Sequence, residues 1–270
     1  MAGNTKLLRQ RIKSVNSTLQ LTNAMGLVAG SKIRKAGAGM QKARQYARAI
    51  EKTVSLLCQD TDVKNSPYMA KREGGRTRLV VIAGDRGLAG GYNANVFRFC
   101  REFSDSEMIP IGKRACDRFG AEPISSEHYS FEQAYRLAET LCKDFYEGSY
   151  DRLGVVYSEY VSVMQSDVKV KWLLPLEAEE EKNGTAVVFE PDCLTVLQNA
   201  VKEYVGGMIC SLVRESFASE VAARRNAMDS AEKNATAMIE NLSLEYNRAR
   251  QGAITQEITE IVAGSGGDSK

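Results

Sequence analysis

Proline placement constrains this chain more than any other feature. All five prolines fall between Pro67 and Pro191, so both ends run for more than 55 residues without one. A proline inside a helix removes a backbone hydrogen bond and collides with the preceding turn. Both ends also carry apolar residues at helical spacing. Two long helices flanking a compact middle are therefore expected.

The first end keeps the pattern longest. Leu8, Ile12, Val15, Leu19, Thr22, Gly26, Ala29, Ile33, Ala36, Met40, Ala43, Ala47, Ile50, Val54 and Leu57 step by alternate fours and threes, and only Thr22 and Gly26 are not apolar. A sustained seven-residue repeat predicts a left-handed supercoil with a second helix. The small residues Ala29, Ala36, Ala43 and Ala47 let that partner approach closely. A helix over residues 5–57, with Asn4 or Thr5 as cap, would span roughly 80 Å.

At the other end, Pro191-Asp192 reads as a stop followed by an N-cap. The second helix is expected from Cys193 to about residue 262, roughly 105 Å long, with GSGGDSK as a flexible tail. Met228, Ala231, Ala235, Met238, Leu242 and Tyr246 continue a seam of looser spacing, and Ile254, Ile258 and Ile261 form a late stripe. Paired antiparallel, the helices place Met25 near Arg224 and Arg225. The first helix then runs out opposite about residue 245, leaving NRARQGAITQEITEIVAG as a lone helix in need of a partner.

Sixteen of the twenty aromatics lie between residues 58 and 192, which marks a conventional core there. Thr77–Ala83, Met108–Gly112, Arg152–Val161 and Asp167–Leu174 read as strands, the last two as a hairpin; Thr185–Phe189 is a further candidate. Tyr92–Phe103, Lys113–Phe119 and Phe131–Tyr146 read as helices. The expected fold is an α/β head, a Rossmann-like open sheet with flanking helices, carried on a long antiparallel two-helix coiled coil. The domains are 1–58, 59–191 and 192–263, followed by a tail over 264–270.

Charge is unevenly distributed. Residues 1–57 hold eleven Lys and Arg against Glu51 alone, whereas residues 58–192 carry 17 basic and 23 acidic side chains. Such a helix attracts acidic partners, or is a solvated basic face balanced by the acidic remainder. The six cysteines lack metal or redox spacing and are expected as free thiols. No signal-peptide core opens the chain, and the longest apolar runs, such as Leu79–Ala83, are far short of a membrane span.

GDRGLAGGYN follows a strand and opens a helix, where phosphate loops sit. Its glycines, Gly84, Gly87, Gly90 and Gly91, do not spell the dinucleotide fingerprint, and no Lys-Ser/Thr pair follows. A structural turn is the better reading. His128 is the only histidine, and no metal cluster or nucleophile elbow is present. The run Glu177, Glu179, Glu180 and Glu181 reads as a solvated loop. No catalytic, metal or cofactor site is expected. A nucleotide enzyme would need more than this loop. A basic coiled-coil adaptor for nucleic acid would have the charge but no aromatic platform for bases.

Three segments carry a family resemblance. IKSVNSTLQLTNAMGLVAGSKIRK around Met25, the turn GDRGLAGGYNANV, and SEVAARRNAMDSAEKNATAMIENLSLEYNRARQGAITQEITEIVAG together resemble the gamma subunit of F-type ATP synthases, the central rotor shaft, over nearly the whole chain. The resemblance implies a non-catalytic subunit in single copy. Its partners would be the alpha and beta subunits of the catalytic ring, the epsilon subunit and the membrane ion-driven ring. It places Met25 near an acidic region of beta and close to Arg224. It makes Arg250, Gln251, Thr255 and Glu257 polar contacts to the ring interior, and puts Arg34 and Lys35 on the basic face of the first helix. Two departures stand out: Ala89 occupies a position where the family often has cysteine, and the thiol-regulated insertion of chloroplast members is missing. A bacterial-type member, peripheral on the cytoplasmic face of the cell inner membrane, is the implied setting.

Overall fold

The computed structural model describes residues 2–72, 75–177 and 189–265. Among the described residues, five α-helices and four strands follow in the order α1 (Ala2–Leu57), β1 (Thr77–Ile82), α2 (Tyr92–Phe99), β2 (Glu107–Ile111), α3 (Lys113–Phe119), α4 (Phe131–Tyr146), β3 (Arg152–Tyr160), β4 (Ser166–Leu174) and α5 (Cys193–Ser265). A short 3-10 helix, Cys100–Phe103, extends α2. Helix α1 begins before its expected start, so Asn4 and Thr5 lie inside it rather than at its cap. Helix α5 runs two residues past the expected start of the tail, through Ser265. The expected strand at Thr185–Phe189 lies outside the described residues except for Phe189, as do Glu179, Glu180 and Glu181; Glu177 is exposed and pairs with Lys71 at 3.3 Å.

The chain divides into two compact units, residues 29–224 and residues 1–28 with 225–270. In the first, the sheet order is β2-β1-β3-β4. Strand β1 pairs in parallel with β2 and β3, and β3 pairs antiparallel with β4. β1 reads TRLVVI because a central parallel strand is buried on both faces. Leu79 and Val81 face one layer with Val96, Cys100 and Ala115. Val80 and Ile82 face the other, with α4 residues Ala138, Leu141 and Phe145.

That second layer is closed by the long helices. Val54 and Leu57 of α1 join Leu197, Val201, Val205, Ile209 and Val213 of α5 in the same cluster. The unit around the sheet thus extends past the aromatic-rich span, because the helices supply it with aliphatic side chains that an aromatic count does not register. Arg44 spans three elements: its guanidinium donates to both Glu215 oxygens at 2.6 and 3.1 Å, and the Tyr160 amide donates to the same carboxylate at 3.1 Å. Asp192 caps α5, accepting from the Thr195 amide and hydroxyl, each at 2.8 Å.

The second unit is helical. A Cβ on Gly26 would lie 3.5 Å from the Met228 Cβ, and the Asn23 amide, turned nitrogen-outward, donates to Glu232 at 2.9 Å. Moving back along one helix advances along the other, so the segments are antiparallel. All fifteen repeat positions of α1 are buried or half-buried across the chain. On α5 the covered line runs Met228, Ala231, Ala235, Ile239, Leu242, Tyr246, Ala249, Ala253, with Met228 and Ala235 buried and the rest half-buried. Met238, expected in the seam, is 54% exposed. Ile239 takes its place, and the steps are threes and fours throughout, with two successive fours over Ala231, Ala235 and Ile239. Gly26 of α1 faces Met228 of α5, and partial burial on α5 continues to Ala253, past the expected limit near 245.

Candidate functional site

Beyond Ala253 every described side chain on α5 is exposed. Ile254, Ile258 and Ile261 stand 46%, 56% and 70% open, a one-sided apolar row at helical spacing. A soluble helix that shows such a row has found no cover within its own chain. The expected contact residues surround this row. Arg250, Gln251 and Glu257 are exposed, and Arg250 and Glu257 form no ion pair among the described residues. Thr255 is exposed too, but its hydroxyl is spent on the Gln251 carbonyl at 2.9 Å.

The basic helix is left largely uncompensated. Of its eleven cations, only Lys32 and Arg44 pair with described acids, Glu127 and Glu215. Arg34 and Lys35 are exposed. Met25 is half-buried in the helical unit.

The turn after β1 is built to hold a shape. A Cβ on Gly84 would lie 2.6 Å from the Glu220 carboxyl carbon, so a larger residue there would have to displace that carboxylate. Gly90 has φ +57, which also favours glycine. Gly87 and Gly91 face ordinary contacts. The Gly84 amide donates to the Asn93 side chain at 2.9 Å, and Glu220 accepts from the Asp85 amide. A buried carboxylate therefore lines the inner side of this turn. Arg224, also expected among the contact residues, is occupied here: it pairs with Glu220 and donates to the Gly87 carbonyl at 3.3 Å. Burial raises the Glu220 pKa, and Arg224 opposes that rise.

Asp85 binds this turn to the segment before α4. Its carboxylate accepts from the Ser125 hydroxyl at 2.6 Å and from the amides of Ser126, Glu127 and Lys113 at 2.9, 3.0 and 3.1 Å. Burial pushes this carboxyl up, but the four donors outweigh it and hold it below its usual range. Glu127 is held low by its hydrogen bond from Lys32, with Arg86 and His128 adding to it. The backbone at the turn's tip projects Leu88 outward at φ +60, with the side chain 62% exposed. Glu220, Asp85 and Glu127 were missed by sequence reading. Only Asp85, which lies within the glycine-rich turn, carries a local signal.

Comparison with known proteins gives one consistent result. The family model described as ATP synthase matches residues 4–266. The ATP synthase gamma chain of Ruminococcus albus is 38% identical, covering 98% of this chain and 99% of that one. The sodium-ion-specific gamma chain of Acetobacterium woodii is 35% identical, covering 98% and 99%. Among solved structures, a chain of the Euglena gracilis mitochondrial ATP synthase OSCP/F1/c-ring assembly matches with TM-score 0.70 at 18% identity, covering 99% of this chain and 95% of that one. A chain of the Tetrahymena thermophila mitochondrial ATP synthase central stalk and c-ring matches with TM-score 0.63 at 21% identity, covering 78% and 99%. At those identities the structural likeness speaks for the fold.

Proposed function

The chain belongs to the ATP synthase gamma-chain family, and on that premise we propose that it is the central rotor shaft of an F-type ATP synthase. Residues 1–58 and 192–263 form an antiparallel coiled coil, and residues 59–191 form the head. The single observation that carries this reading is the uncovered end of α5, where Ile254, Ile258 and Ile261 await a surrounding surface. The alpha and beta subunits of the catalytic ring supply it. The head meets the epsilon subunit and the membrane ion-driven ring, coupled to protons or sodium ions. No described helix is long and apolar enough to cross a membrane; the reading is a peripheral subunit held on the cytoplasmic face of the cell inner membrane by its partners.

The subunit has no chemistry of its own in this account. It transmits torque. Each angle of an asymmetric shaft favours a different set of beta conformations through differential contact energy. Contacts that are made and broken every turn must be weak. Exposed ion pairs, worth about 0–1 kcal/mol, suit that role. The unpaired cations of α1, Arg34 and Lys35 among them, fit acidic loops on a partner, with Met25 nearby. Arg250, Gln251, Thr255 and Glu257 fit polar loops of the ring interior.

Arg250→Glu tests this. In assembled complexes it should lower coupled ATP synthesis by about fivefold, the size of a contact worth about 1 kcal/mol, while the isolated chain unfolds as before. Undiminished synthesis in correctly assembled complexes would contradict the reading.

A further inference from the structure

Two of the six cysteines meet where the long helices enter the sheet unit. All six are free thiols. Cys58 immediately follows α1, and Cys193 is the first residue of α5. They are 1% and 8% exposed and belong to one core cluster. The Cys193 sulfur lies 3.9 Å from the Leu57 carbonyl oxygen. That carbonyl belongs to the peptide bond that leads into Cys58, so the Cys193 sulfur sits against the backbone of Cys58's own peptide unit. Cys193 also acts electrostatically on Cys58. No second thiol so acts on Cys100 or Cys210.

We propose that Cys58 and Cys193 are a modification site: oxidised together, they form a disulfide that ties the end of α1 to the start of α5. The oxidant is a low-molecular-weight disulfide, such as oxidised glutathione. The Cys193 thiolate attacks one of its sulfurs, and one glutathione leaves as thiolate and takes up a proton. The Cys58 thiolate then attacks the Cys193 sulfur of the mixed disulfide and releases the second glutathione. Two protein thiols are oxidised, and one glutathione disulfide is reduced to two thiols. The attacking sulfur is reached when the first turn of α5, held by the Asp192 cap, opens.

The surroundings keep the reaction slow at neutral pH. Burial pushes the Cys193 thiol up to about 11, helped by the nearby carboxylates of Asp60, Asp62 and Asp192. Burial, and then the neighbouring Cys193, push Cys58 up to about 11. The thiolate is the nucleophile, so the pair stays reduced until pH or oxidant rises. Once formed, the bond closes a loop around the whole sheet, the arrangement in which a crosslink restricts the unfolded chain most.

The full-length chain, fully reduced, is incubated with excess oxidised glutathione and digested without reduction. A Cys58–Cys193 linked peptide is expected, forming about a hundredfold faster near pH 9 than near pH 7. The oxidised chain should melt about 5–15 °C higher than the reduced one. Cys193→Ser should lose both effects while melting close to the reduced wild type. The proposal is overturned if Cys58 and Cys193 stay reduced after half-buried Cys210 has reacted. It is equally overturned if only mixed glutathione adducts appear, or if the linked peptide forms only in denaturant.

Discussion

Residues 193–224 and 225–263 are two stretches of one helix, α5, in different surroundings. In the first stretch, past the opening turns where Leu194, Thr195, Gln198 and Asn199 face out, burial extends around the helix: Val205, Met208, Ile209, Leu212 and Val213 are in the core, and even Glu215, Ser216, Ser219 and Glu220 are buried. In the second, one line of side chains is covered, and after Ala253 none is. A helix covered on all sides is held by the unit it belongs to. A helix covered along one stripe is held by one neighbour, and its free end depends on whatever comes to meet it. The difference is one of support: one stretch is embedded in the unit around the sheet, and the other is covered along a single line that ends at Ala253.

Substitution in the core should expose that difference most strongly. Ile209→Ala should destabilise the full-length chain by about 3 kcal/mol, as loss of a fully buried aliphatic does, read by denaturant unfolding. A loss below about 1 kcal/mol would mean the first stretch is not the anchor.

Acid should separate the two regions next. Asp85 and Glu127 both lie below their ordinary values of 3.8 and 4.5. Groups depressed in the folded state contribute stability above those values and lose it as pH falls through the folded ones. Glu220 acts in the opposite sense, since its raised pKa makes the buried charge a cost once pH climbs above it. Asp85→Asn should cost about 1 kcal/mol at neutral pH, a figure reduced for the group's partial exposure. It should also flatten the loss of stability below pH 3.8. Equal acid sensitivity in mutant and wild type would exclude Asp85 as the tie between the turn and residues 125–127.

The smallest effect belongs to the helical unit. Met238→Ala should change stability by no more than about 0.5 kcal/mol, as exposed positions do. A larger loss, measured by thermal unfolding, would return Met238 to the seam.

The reach of the sequence follows the range of the interactions. Helix α1 was legible because fifteen positions repeat without a break, and each one is covered. Lys113–Phe119 and Phe131–Tyr146 were read to the residue, since turn residues bracket both. Helix α5 was read one position off at Met238, because Met238 and Ile239 are adjacent apolar residues and a step of three or of four fits the repeat equally well. The glycine turn was recognisable, but the reason for Gly84 lies at Glu220, far along the chain on another element. The same holds for Asp85 with Ser125 and for Cys58 with Cys193. These partners are joined by the fold, and no spacing rule connects them.

Amide hydrogen exchange, compared between the isolated chain and the assembled ATP synthase, tests the central claim most directly. Amides over residues 254–263 should exchange quickly in the isolated chain and become strongly protected on assembly, while those over 193–224 stay slow in both. Equal exchange over 254–263 in the two states would contradict the account.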